Sequence, residues 1–527
     1  VHDGQEHNTE QFAENVHLQA KSPSRDSFEK VLIVGVGKSG QSTARFLLKS
    51  AKQLGMKSLT LVDSAQSDSL DVFLEKLHRD TPTEMGLHAH FGVEQVPAAP
   101  TDLAKGAQDN GLNVTGTEEK SYDICIITPG LAPHTSLAKS AYAQSHEVVS
   151  ELELAYRLSP AGLNWIAITG TNGKTTTTEL VREVLSAKAD VQVFSVGNIG
   201  TPALELLNRV RPGDYFVAEI SSFQAARLGK FRPQVAALLN LSSDHLDWHK
   251  NIESYAADKC EIFANSRNDD LVLLPHEDCL HEQTQVLIAS AARAAVKRGA
   301  RVETISVDDY CLPADEKELN LKGKHNLTNA CFATAIGRYC KVPDADIAQA
   351  LKDFSPQPHR MQEIGTFEEV IYVNDSKSTN SDASISALSA YAGLELTLLL
   401  GGQGKGADYL DLAKAALARA QTILLFGQAA KELNSCFSAL STDIAEGQQI
   451  LSFETMRDAV FFACKHADSQ QVVMLSPANA SFDEFDNYEQ RGLYFKALVE
   501  TFYSTVAAID TPLSSSICQD LDAAGEI

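Results

Sequence analysis

The residues best equipped for chemistry lie in one stretch, 166–178, which reads I-A-I-T-G-T-N-G-K-T-T-T-T. A tight turn, Gly170-Thr171-Asn172-Gly173, runs into Lys174, Thr175 and Thr176. Glycines let backbone N–H groups turn inward around an anion, and a helix N-terminus adds partial positive charge. In such a cradle the lysine meets the β- and γ-phosphates of a nucleotide, and the hydroxyl after it meets Mg2+. The longer G-x-x-x-x-G-K-[ST] pattern is broken, because Ile168 stands where its first glycine belongs. The competing reading is an ordinary Gly-Asn turn with a surface lysine.

A phosphate cradle needs a buried strand before it and a helix after it. The apolar run 165–168 supplies the first, and residues 179–187 have the pattern of the second. Strands and helices then alternate, which implies a parallel sheet. Segment 191–196 ends at Asn198, and 215–220 carries Glu219, the usual place for a Mg2+ carboxylate. Segment 236–241 leads into Ser242-Ser243-Asp244-His245-Leu246-Asp247. A lone loop histidine is more often a hydrogen-bonded residue than a ligand; three polar strand ends in succession favour a site. A helix is expected over 252–265, with Lys259 in its middle. His325 and Asn326 read as N-capping residues of a later Ala-rich helix.

Two flanking regions repeat this architecture. Residues 30–37 form a strand entering Gly35-x-Gly37-x-x-Gly40, with a helix over 42–51 and an acid, Asp63, closing the next strand. That is the dinucleotide fingerprint, and it places a nucleotide or diphosphate near Ser39 and Gly40. Strand 122–127 ends at Thr128-Pro129-Gly130. Beyond a linker at 354–358, strands at 370–373, 396–400, 422–426 and 472–475 each end in polar or glycine loops. The loop at Gly401 reads as a phosphate cradle, a carboxylate site or a plain turn.

The fold class is therefore α/β, with three doubly wound units: Rossmann-like, P-loop, Rossmann-like. The expected division is a tail (1–27), a first domain (28–161), a central domain (162–355), a C-terminal domain (356–510) and a second tail (511–527). Segment 98–120 reads as an inserted surface loop. The formal charge is −24, from 45 basic and 69 acidic residues, which argues against nucleic acid and anionic membrane partners. Nine cysteines without a C-x-x-C pair point to reduced thiols in the cytoplasm. No apolar run reaches membrane-spanning length, and residues 1–27 lack the apolar core of a secretory signal.

Together, G-T-N-G-K-T-T-T, E-I-S-S-F-Q, S-D-H-L-D, the Lys259 segment and G-K-H-N-L-T-N-A resemble the Mur ligases and their relative, folylpolyglutamate synthase. The Rossmann-like first unit disfavours the folate enzyme. N-D-S-K-S-T-N (374–380), L-L-L-G-G-Q-G-K-G (398–406) and L-S-P-A-N-A-S-F-D-E-F-D-N-Y-E-Q-R-G (475–492) resemble the D-glutamate-adding branch of the family. The resemblance spans about residues 31–499.

It implies a cytoplasmic, monomeric ligase that uses ATP and Mg2+ to join D-glutamate to UDP-N-acetylmuramoyl-L-alanine through an acyl phosphate. It implies Gly170, Thr171, Asn172, Gly173, Lys174, Thr175 and Thr176 on the ATP phosphates, and Asn329, Arg360 and Asp375 on the adenosine. Thr175, Glu219, His245 and a carbamylated Lys259 would serve metal; Lys174, His245 and Lys259 would be catalytic. Ser39, Gly40, Asp63, Thr128, Pro129, Gly130, Asn198 and His245 would hold the UDP substrate. Lys377, Thr379, Lys405, Ser481 and Tyr488 would hold D-glutamate. Tyr488 stands where phenylalanine is frequent, and Asn479 where cysteine is frequent. Three alternatives stay open: a sister ligase for another amino acid, an NAD-dependent oxidoreductase using Gly35 to Asp63, and a non-catalytic nucleotide-binding regulator.

Overall fold

The computed structural model describes residues 27–510, apart from 83, 100–119, 246–247, 322, 356–357, 389, 392 and 405–408. Both expected tails (except Ser27), most of the expected insertion at 98–120, and Lys405 lie outside the described residues.

Three sheets follow one another along the chain. The first contains β1 (Lys30–Val34), β2 (Ser58–Asp63), β3 (Gly86–Phe91), β4 (Tyr122–Ile127) and β5 (Ser145–Val149), all parallel, in the order β3-β2-β1-β4-β5. The second contains β6 (Asn164–Thr169), β7 (Val193–Gly197), β8 (Tyr215–Glu219), β9 (Val235–Leu238), β10 (Leu271–Pro275) and β11 (Arg301–Ile305). It too is parallel throughout, ordered β11-β10-β9-β6-β8-β7. The third is formed by β12 (Gln362–Phe367), β13 (Val370–Asn374), β14 (Glu395–Gly401), β15 (Thr422–Phe426), β16 (Gln449–Ser452) and β17 (Gln471–Ala478). Its order is β12-β13-β17-β14-β15-β16, and only the β12–β13 pair is antiparallel.

Parallel strands covered by helices on both faces must be apolar on both faces. Val31 to Val34, Ile166 to Ile168 and Leu398 to Leu400 are accordingly fully buried. The reversal of strand order beside β1 and β6 opens a crevice at their carboxyl ends, where open α/β sheets receive ligands. Both glycine turns sit there. Five strands that the sequence pattern does not announce, β3, β5, β11, β12 and β16, are sheet edges, and a sixth, β10, lies inside its sheet.

Four helices differ from expectation: those expected over 42–51 and 179–187 start earlier, at Lys38 and Lys174, and two others differ near the site. The Lys259 helix covers Ile252–Cys260 and tightens into a 3-10 turn, Glu261–Phe263, rather than running to 265. The later Ala-rich helix starts at Lys324 with Gly323 as its N-cap, so His325 and Asn326 lie inside its first turn and do not cap it. Among the described residues the cysteines are free thiols, and no helix is long and apolar enough to cross a membrane.

Candidate active site

β6 delivers the chain to Gly170, and the helix Lys174–Ser186 begins directly after Gly173, whose φ of +80° suits glycine. A Cβ on Gly173 would lie 2.5 Å from Asn329 Oδ1, so this turn and the Asn329 helix require a glycine between them. Lys174 folds back over the loop: its Nζ donates to the carbonyls of Gly170 at 2.9 Å and Thr171 at 2.7 Å. Burial lowers its pKa, with Glu219 and Asp244 opposing that shift.

The turn is held from behind by Asn240, a residue the sequence pattern does not single out. Asn240 Oδ1 accepts the N–H groups of Thr171 (3.1 Å) and Asn172 (2.9 Å), and its Nδ2 donates to Asn172 O (3.0 Å). The Thr171 hydroxyl is likewise committed to the fold, meeting Ser242 O at 3.1 Å and Tyr255 OH at 3.2 Å. The donors this turn leaves for an anion are the first-turn N–H groups of the helix, which have no intrahelical partner.

Glu219, at the end of β8, is 2% exposed. Its Oε1 accepts from Asn198 Nδ2 at 2.8 Å; Oε2 is buried with no hydrogen-bond partner among the described residues. An orphaned carboxylate oxygen beside a phosphate turn is the donor a hard cation takes, with phosphate and water oxygens completing its shell. The Thr175 hydroxyl accepts from Arg360 Nη2 at 2.8 Å. His245 has φ +54° and is more exposed; its Nε2 lies 3.6 Å from Asp244 Oδ2, and its ring packs edge-on to Phe223. No cluster of three or more His, Cys, Asp or Glu side chains gathers among the described residues. The protein's part in a metal site would thus be small, which fits Mg2+, a cation that keeps water and substrate phosphates as ligands.

Lys259 is no surface lysine. It is 1% exposed, its Nζ donates to Gly170 O at 2.8 Å, and it lies 4.5 Å from the Tyr255 ring centroid. Burial, with the charge of Lys174 next, holds its pKa well below the ordinary lysine range. His249 fixes the base of this helix, bonding Asp258 Oδ2 through Nδ1 (2.9 Å) and Ser222 Oγ through Nε2 (2.8 Å).

A cleft of about 630 Å3 joins these groups to the third sheet. Its lining includes Thr171 to Thr176, Asn198, Glu219, His245, Asn329, Arg360, Asp375, Lys377 and Thr379. Asp375 is buried and accepts from Ser476 Oγ (2.8 Å) and Met361 N (3.2 Å), while burial raises its pKa to about 6. Lys377 Nζ stands 3.6 Å from the Tyr488 ring centroid, a cation–π contact, and burial brings its pKa down to about 8. The extra hydroxyl of Tyr488 donates to Glu489 Oε1 at 2.9 Å. Ser481 and Tyr488 do not line this cleft. Asn479 accepts from Tyr409 OH at 2.6 Å, a structural role. Arg491, fully buried, donates to the carbonyls of Ser376, Asn479 and Ala480 and so ties the 374–380 and 478–481 loops together.

The first glycine turn lies apart from this cleft. A Cβ on Gly35 would come within 1.9 Å of Thr128 Oγ1, and one on Gly40 within 2.0 Å of Gly35 O; Gly37 faces open space. Asp63 Oδ2 accepts Val36 N–H at 2.6 Å and Oδ1 accepts Ala65 N–H at 2.9 Å. Both oxygens serve the loop, each with acceptor capacity to spare. Ser39 and Gly40 open the helix Lys38–Leu54, and Thr128, Pro129 and Gly130 follow β4 on the neighbouring strand.

Comparison with known proteins decides the family. Residues 168–337 match the Mur ligase middle domain, and 359–479 match the Mur ligase glutamate ligase domain. A UDP-N-acetylmuramoylalanine--D-glutamate ligase of Pelotomaculum thermopropionicum is 33% identical over 482 residues, covering 89% of this chain and 97% of its own. The protein of the same name from Alkaliphilus metalliredigens is 36% identical over 484 residues, covering 90% and 98%. The chain belongs to this family of Mur ligases. Solved structures agree on the fold: MurF from Acinetobacter baumannii superposes with a TM-score of 0.51 at 15% identity, covering 84% of this chain and 90% of that one. The MurF ligase of Thermotoga maritima, in complex with ADP, gives 0.52 at 14% identity, covering 84% and 96%.

Proposed function

We propose that this Mur ligase joins D-glutamate to UDP-N-acetylmuramoyl-L-alanine in peptidoglycan precursor synthesis, with cleavage of ATP to ADP and phosphate. The observation that carries this reading is the convergence, in one cleft, of the Lys174 turn, the orphaned Glu219 oxygen, and Arg360 and Lys377 from another sheet. An ATP-dependent amide synthesis needs that pairing of a phosphate cradle with cations for an anionic amino acid.

The alanyl carboxylate attacks the γ-phosphorus and ADP leaves. The neutral amine of D-glutamate then attacks the acyl phosphate, and the tetrahedral intermediate expels phosphate. Such transfer depends on positioning and charge stabilisation more than on covalent help from the protein. The Gly170 to Thr176 turn holds the phosphates through the first-turn N–H groups of its helix; Lys174 offsets the charge that spreads over them, and so does Arg360, expected on the adenosine but set against the Thr175 hydroxyl. Asn329 and Asp375 take the adenosine side. Lys377, Thr379 and Lys405 bind D-glutamate, Ser481 and Tyr488 stand behind them, with the Tyr488 ring against the Lys377 ammonium, and Asn198 and His245 face the muramoyl end. Glu219, His245 and Thr175 would hold Mg2+, which when bound would supply Lewis-acid neutralisation of the phosphate oxygens.

Lys259 fits carbamylation: its neutral amine adds CO2, forming an N–C bond and releasing one proton, and the cation becomes an anion with two oxygens. The low pKa that burial gives Lys259 keeps that amine available. Residues 28–161 form the UDP-binding domain, 162–355 the ATP-binding domain and 356–510 the amino-acid and adenosine domain. We read the enzyme as a monomer, as the resemblance implies, and as cytoplasmic, in keeping with the free thiols of its described cysteines. The test is phosphate release with ATP and UDP-N-acetylmuramoyl-L-alanine against D-glutamate, L-glutamate, L-alanine and lysine. Release should require D-glutamate; equal or faster release with another amino acid would overturn the assignment.

A further inference from the structure

We propose that Arg227 is a positioning residue for the UDP substrate: its guanidinium sets the 128–131 loop from the central domain and so controls that substrate's affinity. The proposal rests on reading this loop as part of the UDP site. Arg227 follows the short helix Ser222–Ala225 and is 3% exposed. Its Nη1 donates to the carbonyls of Thr128 at 3.1 Å and Pro129 at 3.3 Å, and its Nη2 donates to Leu131 O. A rigid fork of donors can hold three carbonyls in one geometry, which an ammonium cannot.

Two consequences follow from that grip. Thr128 Oγ1 is the atom nearest to where a Gly35 side chain would be, so fixing Thr128 fixes the wall of the first glycine turn. The guanidinium also meets only neutral acceptors in these three bonds, leaving a desolvated positive charge just behind a loop read as facing a diphosphate. Burial lowers its pKa, as expected for a cation taken out of water.

On its other side Arg227 lies 5.4 Å from the Trp248 ring centroid. Trp248 packs tilted on Phe223 at 4.7 Å, Phe223 meets His245 at 4.9 Å, and the Trp248 backbone N–H donates to His245 O at 3.1 Å. The loop at 128–131 is therefore joined through one arginine to the segment carrying His245. Coupling between sites travels through packed contacts of this kind. The seam between the first and second sheets does not depend on Arg227 alone: Glu153 accepts the N–H groups of Gly229, Lys230 and Phe231 at 2.7–3.0 Å. Replacing Arg227 should thus loosen the loop without undocking the units.

The experiment uses the full chain with Arg227→Met, Arg227→Lys and Gly37→Val. Calorimetry gives Kd for UDP-N-acetylmuramoyl-L-alanine and for ADP, and steady-state assays give KM for all three substrates. Arg227→Met should raise Kd and KM for the UDP substrate by about tenfold or more while leaving the ADP value within about twofold, in the usual range of coupling between sites. Arg227→Lys should recover only part of the loss, and it carries the test if the Met variant does not fold. Unchanged UDP-substrate binding in a folded variant, or an equal rise for ADP, would overturn the proposal. Gly37→Val separates this from failure of the site reading. Its Cβ meets no atom within 4 Å, so the fold tolerates it, and the open space its side chain takes is the space that the site reading gives to the diphosphate. If Gly37→Val binds the UDP substrate like the parent, the site reading fails; if it loses binding while Arg227→Met does not, the role of Arg227 alone fails.

Discussion

The chain uses one device twice. In both the first and the second sheet a buried strand runs into a glycine turn, and a helix follows whose first residue is a lysine, Lys38 or Lys174. The two turns are braced differently. Behind the first stands a carboxylate, Asp63, accepting Val36 N–H at 2.6 Å. Behind the second stands a neutral amide, Asn240, accepting two N–H groups. Lys38 is exposed, whereas Lys174 folds over its own loop with Lys259 close by. An anion behind a turn spends part of its positive potential; a neutral brace preserves it. The first turn is thus suited to binding a diphosphate that takes no part in the reaction. The second concentrates charge, as suits the phosphoryl transfer proposed there, since only interactions stronger in the transition state accelerate the chemical step.

The largest break of this comparison is Lys174→Ala. It should lower kcat by about 10³-fold, the scale of lost transition-state charge stabilisation. A variant within about tenfold of the parent would place the two turns on the same footing and refute the role of Lys174. Next is Lys259→Ala, expected to cost on the order of 10²-fold in kcat. If a carbamate is what is missing, added acetate or a similar small acid should restore part of the rate. Parental activity indifferent to acid would show that the buried amine has no function.

Asp63→Asn sharpens the contrast from the other side. One amide oxygen replaces two carboxylate oxygens, and an NH2 group is brought against a backbone N–H. A lost bond to a charged acceptor of this kind costs about 1.5–3 kcal/mol where the group is held, so KM for the UDP substrate should rise roughly tenfold. KM for ATP should not move. If ATP binding weakened and UDP-substrate binding did not, the two turns would have to exchange roles.

What the sequence made legible divides along the same line. Gly170 to Thr176 are contiguous, and their order states the chemistry; so is Gly35-x-Gly37-x-x-Gly40. The braces are not contiguous. Asn240 acts across 68 residues on Asn172 and Arg227 across 99 on Thr128, and nothing local marks an asparagine or arginine for such work. Arg491 lies inside the 475–492 motif, but nothing local marks its grip on the carbonyl of Ser376, 115 residues earlier. The strands missed were mostly edges such as β3, G-L-H-A-H-F, and β16, Q-I-L-S, whose single neighbour and partial exposure leave a mixed pattern. Lys259 shows the reverse case: Asp258 and Glu261 beside it suggest a solvated helix face, while the fold buries it against Gly170.

The smallest expected effect tests how far the charge of the second turn reaches. Lys377 belongs to the third sheet, yet its pKa is brought down to about 8 by burial first, then by Arg360, with Lys174 also contributing. Below that value Lys377 carries the charge that an amino-acid carboxylate needs; above it the free enzyme holds a neutral amine, and binding an anion must first take up a proton. Affinity therefore falls as pH rises through 8, the sign expected of a depressed lysine. D-Glutamate is an awkward probe, because its own amine titrates at higher pH. Glutarate has two carboxylates and no amine, so its inhibition constant against D-glutamate reads Lys377 more directly. That constant should rise about twofold between pH 7 and pH 8 and approach tenfold by pH 9, as half and then nine-tenths of the lysine loses its proton. In Lys174→Ala, assayed by glutarate binding rather than turnover, the fall should move to higher pH because one neighbouring cation is gone. A constant flat to pH 9 would mean that Lys377 does not bind the carboxylate, and a fall unmoved by Lys174→Ala would confine the field of the second turn to its own sheet.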